Sequence, residues 1–72
     1  MKEYFILTNY GSYVCKGSFI FNGEPYKSIG TKGYARRFKS QETAKKELEK
    51  LKGKYANIDD TCFIVCIENK DD

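Results

Sequence analysis

The sequence predicts an α+β fold: a two-layer ββ(β)αβ sandwich in which an antiparallel meander of three strands is followed by one helix and a last strand that lies centrally in the sheet. Three observations predict it. Asn22-Gly23 sets two residues tolerant of positive φ between apolar runs, the strongest short-range hairpin signal. Between Ser40 and Gly53, apolar residues recur at helical spacing, with a cap before them and a stop after them. Cys62-Phe63-Ile64-Val65-Cys66-Ile67 is apolar at every position, so both of its faces suit burial.

Tyr4 to Thr8 is β-branched and aromatic, and it ends at Asn9-Tyr10-Gly11-Ser12, which holds turn residues; this is the first strand. The second runs from Tyr13 to Phe21, with Gly17-Ser18 marking a bulge. Tyr26 to Ile29 returns as the third strand, and Pro25, which lacks a ladder donor, suits the start of an edge strand. Gly30 to Gly33 reads as a loop, and Tyr34 to Lys39 as a short irregular strand or an extended lead into the helix. The helix spans Gln41 to Lys52. Ser40 caps it, Ala44, Leu48, Leu51 and Tyr55 form one narrow stripe, and Glu42–Lys46, Glu47–Lys50 and Glu49–Lys52 lace the polar face. Thr61 to Glu68 is the last strand, and Asn69 to Asp72 reads as a frayed tail.

At 72 residues the chain is one domain, residues 1–72, near the lower size at which a core holds without disulfides or metal. No apolar run approaches the roughly 20 residues of a membrane span, and Met1-Lys2-Glu3-Tyr4-Phe5-Ile6 lacks a signal-peptide pattern, so a cytoplasmic location is expected. Cys62 and Cys66, four apart in a strand, would lie ~13 Å apart and cannot bridge each other. A bridge from Cys15 to either is geometrically open, while buried free thiols suit a reducing compartment. A net charge of +3 permits an acidic partner without requiring one.

Catalysis is not expected. The chain has no His, the commonest general base. Cys62 and Cys66 sit in the most apolar strand, and Cys15 beside Lys16 is the better candidate for a reactive thiol. Three scattered Cys make no zinc site, and Gly30-Thr31-Lys32-Gly33 has neither P-loop nor dinucleotide spacing, so no metal or cofactor is expected. The basic residues say more. The helix lysines are largely matched by Glu42, Glu47 and Glu49, which reads as a solvated face. Lys27, Lys32, Arg36, Arg37 and Lys39 precede the helix with Tyr26 and Tyr34 interleaved, a mixture that suits phosphates and stacked bases or an acidic groove. The candidate binding residues are therefore Tyr26, Lys32, Tyr34, Arg36, Arg37 and Lys39. One narrow helix cannot cover a whole sheet, so the second face is expected to be partly open and to carry Tyr or Phe side chains.

The stretch Ala35-Arg36-Arg37-Phe38-Lys39-Ser40-Gln41-Glu42-Thr43-Ala44 resembles an A-x-x-F-x-S-x-x-x-A pattern of small phage and prophage proteins of Gram-positive bacteria. Its physical sense is that Phe38 and Ala44 pin the helix start to the sheet while Ser40 caps it. The resemblance implies a non-enzymatic accessory protein, such as an anti-defence factor of anti-CRISPR type, that binds a host protein or ribonucleoprotein stoichiometrically. It implies no particular binding residues. In the order of Tyr13, Asn22-Gly23, Tyr26 and Phe38-x-Ser40-x-x-x-Ala44, the chain is also similar to the arm-binding domains of tyrosine integrases, where a three-stranded sheet reads DNA; the extra last strand departs from that pattern. Nucleic-acid binding is thus the alternative expectation. A homodimer joined through an exposed edge strand is compatible with either.

Overall fold

The two residues that alternation sends to opposite faces of the first strand, Phe5 and Ile6, are both fully buried, which identifies that strand as the centre of the structure. The computed structural model describes residues 2–68 and orders them as β1 (Lys2–Leu7), β2 (Tyr13–Phe21), β3 (Glu24–Gly30), a 3-10 turn (Lys32–Tyr34), α1 (Gln41–Lys52) and β4 (Phe63–Glu68). The sheet order is β3-β2-β1-β4, antiparallel throughout, with α1 against one face. The α+β meander, helix and returning strand follow the sequence reading. The central placement of the last strand does not: β4 pairs with β1 alone and forms an edge. An unbroken apolar run carries no information about how many neighbours bond to the backbone, and here it does not mark two covered faces either: no residue of β4 is buried and Phe63 is 45% exposed. Cysteine burial divides accordingly, with Cys15 and Cys62 buried, Cys66 exposed and all three thiols free. The expected tail, Asn69 to Asp72, lies outside the described residues.

The helix forms where cap and stripe place it. Ser40 is extended, and its side chain accepts a hydrogen bond from the Thr43 amide at 3.2 Å. Ala44, Leu48 and Leu51 are its buried residues. They close on Ile6, Val14, Phe38, Ile58 and Cys62, with Tyr4, Tyr55 and Ile64 around them. The face of β1 away from the helix is covered by short means. The Phe5 ring meets Tyr13 edge-on at 5.4 Å, and the Lys32 ammonium of the 3-10 turn lies 6.0 Å above it.

β1 and β2 pair only at their turn end, Leu7 opposite Tyr13, and then part. The segment 35–38 fills the opening. Phe38 exchanges two backbone hydrogen bonds with Tyr4, each 2.9 Å, and the Arg36 amide donates to the Val14 carbonyl at 3.0 Å. The irregular strand expected between Tyr34 and Lys39 is this wedge, which pairs with each neighbour at one position, Phe38 opposite Tyr4 and Ala35 opposite Cys15.

Beyond the wedge, β2 and β3 continue as an arm. Their register shifts between Val14 and Ser18, where the Gly17-Ser18 bulge was expected. A Cβ on Gly17 would stand 3.0 Å from the Ser28 hydroxyl, so the strands approach closely there. Asn22 at φ 52° and Gly23 at φ 81° make the turn, with Phe21 opposite Glu24. The molecule is 46 Å long and only 22 and 18 Å across. Residues 16 to 25 are all exposed.

The β3 strand of the arm is fastened to the loop after α1, from Lys27 near its root to Pro25, one pair short of the turn. The Asn57 side chain accepts from the Lys27 amide and donates to the Lys27 carbonyl, both at 2.8 Å, and the Ala56 amide donates to the Pro25 carbonyl at 2.9 Å. Lys27 is only 5% exposed; its ammonium donates to the carbonyl of Lys16 in the bulge and lies 5.4 Å from the Tyr55 ring centre. It anchors the arm and does not belong to the basic surface among which the sequence counted it. Hydrogen bonding from Ser18, then the positive charges of Lys54 and Lys27, hold the Tyr55 hydroxyl below its ordinary range against the opposing effect of desolvation. Replacing Asn57 by Ala orphans both polar groups of Lys27 and is expected to cost about 1–3 kcal/mol in chemical denaturation. Amide exchange should accelerate first in 24–30.

Asp59 starts the turn into β4, accepting from the Thr61 amide at 2.9 Å and from its hydroxyl. The Thr61 hydroxyl, then the Thr61 amide, hold the Asp59 carboxyl below its ordinary range. A depressed carboxylate stabilises the fold above its unfolded value, about 4, and loses that contribution as pH falls through the lower folded value. Asp59→Asn should therefore lower stability above about pH 4, converge with wild type in acid, and so flatten the acid limb of the stability profile, as read by thermal unfolding across pH.

Candidate functional site

The candidate residues fall in three places. Tyr26 lies on the arm, Lys32 and Tyr34 on the 3-10 turn, and Arg36, Arg37 and Lys39 on or beside the wedge. An extended wedge sends neighbouring side chains to opposite sides. Arg36 accordingly reaches α1, donating to Glu47 at 2.7 Å with its guanidinium 5.1 Å from the Phe38 ring centre, while Arg37 meets Glu3 at 3.5 Å. Glu47 is thus bonded to Arg36 and not to Lys50, whereas the expected Glu42–Lys46 and Glu49–Lys52 pairs form at 3.6 and 3.3 Å. Lys52 also meets Asp60 at 3.3 Å; hydrogen bonding to Asp60, then to Glu49, raises its ammonium above the ordinary range. Arg37 and Lys39 share a shallow groove of about 390 Å³ with Lys2, Glu3 and Phe38. Both arginines expected to contact a partner therefore hold internal ion pairs. Tyr34 stands free of the fold at 80% exposure.

The arm carries a different chemistry. Phe19 stacks on Tyr26 at 5.7 Å and Phe21 meets the same ring edge-on at 6.0 Å, so the three rings line one face of the hairpin. Ile20, opposite Pro25, occupies the other face. Phe19, Ile20 and Phe21 are 50, 70 and 56% exposed. The register makes Tyr26 and Gly30 share a face, and Gly30 stands opposite Tyr13, so the aromatic face of the arm continues the sheet face opposite α1. This is the open aromatic face expected from a lone helix, displaced from the sheet onto the hairpin. Tyr26 alone among the candidates belongs to it. The signal for the others was Phe19-Ile20-Phe21 immediately before Asn22-Gly23, since alternation at a hairpin turn sends Phe19 and Phe21 together to one face, and one short helix covers a single side.

The described residues contain no cluster of His, Cys, Asp or Glu able to hold a metal. Among them, no helix is long and apolar enough to cross a membrane. The chain matches no protein-family model, no curated protein and no solved structure.

The two arginines differ in what their loss should do. Arg36→Met breaks a short, half-buried ion pair between wedge and helix and is expected to cost about 1 kcal/mol in urea unfolding; Arg37→Met breaks a longer, exposed pair and should cost roughly 0–0.5 kcal/mol. Equal costs would show that the wedge is not held to α1 through Arg36.

Proposed function

We propose that this protein is a non-catalytic binding module that modulates a host protein or ribonucleoprotein by stoichiometric docking, and that the β2–β3 arm is its contact. The observation that carries this reading is the exposure of Phe19, Ile20 and Phe21 on a hairpin whose root is fixed by Asn57 and Lys27. A contiguous apolar tip on a rigid support favours a partner with an apolar cleft, because removing such side chains from water contributes on the order of 1–2 kcal/mol each and little entropy is left to lose. Buried aromatic anchors of this kind dominate binding energies at protein interfaces. The phage-type pattern at Ala35 to Ala44 motivates a defence nuclease or its guide complex as the host target.

Nucleic-acid binding is the weaker reading, since the ion pairs of Arg36 with Glu47 and Arg37 with Glu3 neutralise the most promising cations. The two readings part under salt. Docking through the arm should persist from low to moderate salt, whereas phosphate contacts lose affinity steeply.

The test is affinity capture from a bacterial lysate with wild-type protein and with Phe19→Ser and Phe21→Ser variants, each with and without nuclease treatment. The expected outcome is a specific protein retained by wild type in equal amount after nuclease, and weakened roughly 10–100-fold by either substitution. Identical recovery by the variants removes the arm from the function. Recovery abolished by nuclease transfers it to nucleic acid.

A further inference from the structure

The two edges of the sheet are treated differently. On β3 the outward polar groups are already engaged: Pro25 has no amide hydrogen, its carbonyl accepts from Ala56, and both groups of Lys27 are taken by Asn57. That edge is closed by the chain's own loop over most of its length. β4 has no such cover. Tyr4 directs its amide and carbonyl to Phe38, away from β4, so the alternating ladder assigns Glu3, Phe5 and Leu7 to bond with Ile67, Val65 and Phe63. Ile64, Cys66 and Glu68 then point their backbone groups outward, and those groups have no hydrogen-bond partner among the described residues. The strand is Phe-Ile-Val-Cys-Ile-Glu: it has no Pro, no Lys and no inward charge, the devices that ordinarily protect an edge.

We infer that the occupant of this edge is a second copy of the chain, paired antiparallel about a twofold axis through Cys66. Three features select this arrangement. First, a twofold axis perpendicular to the sheet keeps both helices on one side and requires residues of equal parity to face one another, and all three outward residues of β4 have even numbers. Second, centring on Cys66 is the register that uses all of them: Cys66 faces Cys66 in a hydrogen-bonded pair, and Ile64 faces Glu68 of the second copy on either side. Centring one step back, on Ile64, would call on Cys62, whose amide is already bonded to the Asp59 carbonyl at 3.1 Å. Third, the side chains fit. Glu68 is the strand's single charge and falls opposite Ile64, so no like charges meet. On the face away from the helix, Val65 of each copy falls opposite Ile67 of the other, in the closely spaced non-hydrogen-bonded pairs where β-branched contacts are strongest. The product is a continuous eight-stranded sheet, formed from two copies of a four-stranded one, with an arm projecting at each end.

This inference does not rest on the arm's function, because the two surfaces lie on opposite edges of the sheet. Proline substitution tests it with the fold left in place: the Cys66 amide points outward, so Cys66→Pro removes a donor from the pairing edge and none from the β1–β4 ladder. Sedimentation velocity from low to high micromolar concentration should show wild type moving from monomer to dimer. Cys66→Ser should do the same, and Cys66→Pro should self-associate roughly tenfold more weakly or not at all, with circular dichroism unchanged. Should Cys66→Pro fail to fold, a short bis-maleimide on wild-type protein decides the matter: covalent dimers linked Cys66 to Cys66 sustain the pairing. Wild type monomeric throughout overturns it. So does a dimer insensitive to Cys66→Pro, one abolished by Phe19→Ser instead, or cross-links that map elsewhere.

Discussion

The structure depends on the backbone hydrogen bonds that β1 and β2 do not make with each other. After Leu7 and Tyr13 the two strands separate, and a central strand with an unpaired side would leave buried amides and carbonyls at a cost no domain of this size can bear. The wedge Ala35 to Phe38 supplies the missing partners, to Tyr4 on one side and Val14 on the other. Its position then sets much else. Phe38 is delivered to the core beneath α1, Ser40 is placed two residues on to start the helix, and Arg36 is set against Glu47 on the helix side. Because the wedge takes the place of β2 beside β1, β2 and β3 are free to leave the sheet together.

The departing hairpin would be a liability if its root could pivot. A two-stranded ribbon is marginal in water by itself, and this one carries its apolar residues outward at the tip. Asn57 and Lys27 resolve this by bonding the ribbon to the loop after α1 on the same backbone groups that would otherwise form an open edge. One set of contacts thus closes β3 against further pairing and holds the arm rigid. Rigidity is what makes exposed rings useful for binding, since a side chain already held in place loses little freedom when it docks.

The parts of this fold that were legible in the sequence are those set by neighbours in the chain. Ser40, the Ala44-Leu48-Leu51 stripe, the Asn22-Gly23 turn and the Gly17-Ser18 bulge act over a few residues, and each lies where its local chemistry puts it. Strand order was not local. The apolar run at β4 and the Tyr4 to Leu7 run at β1 both have two apolar faces, but only β1 has a strand bonded on each side. Lys27 and Arg36 were misplaced for a related reason. A lysine in a strand reads as solvent-facing until the bulge across the hairpin offers it the Lys16 carbonyl, and an arginine ahead of a helix reads as unmatched until the fold brings Glu47 alongside.

The distribution of polar and apolar groups is the last constraint. In a small domain the charged residues are normally left to water and the apolar ones withdrawn. Here a lysine is turned inward to hold the arm and two arginines are spent on ion pairs within the chain, while Phe19, Ile20 and Phe21 stay in water. Exposed surface pairs contribute little, and three uncovered apolar side chains forgo a burial worth several kcal/mol in sum. Three apolar side chains held in water at the end of a fastened hairpin thus leave a burial that the described residues do not supply.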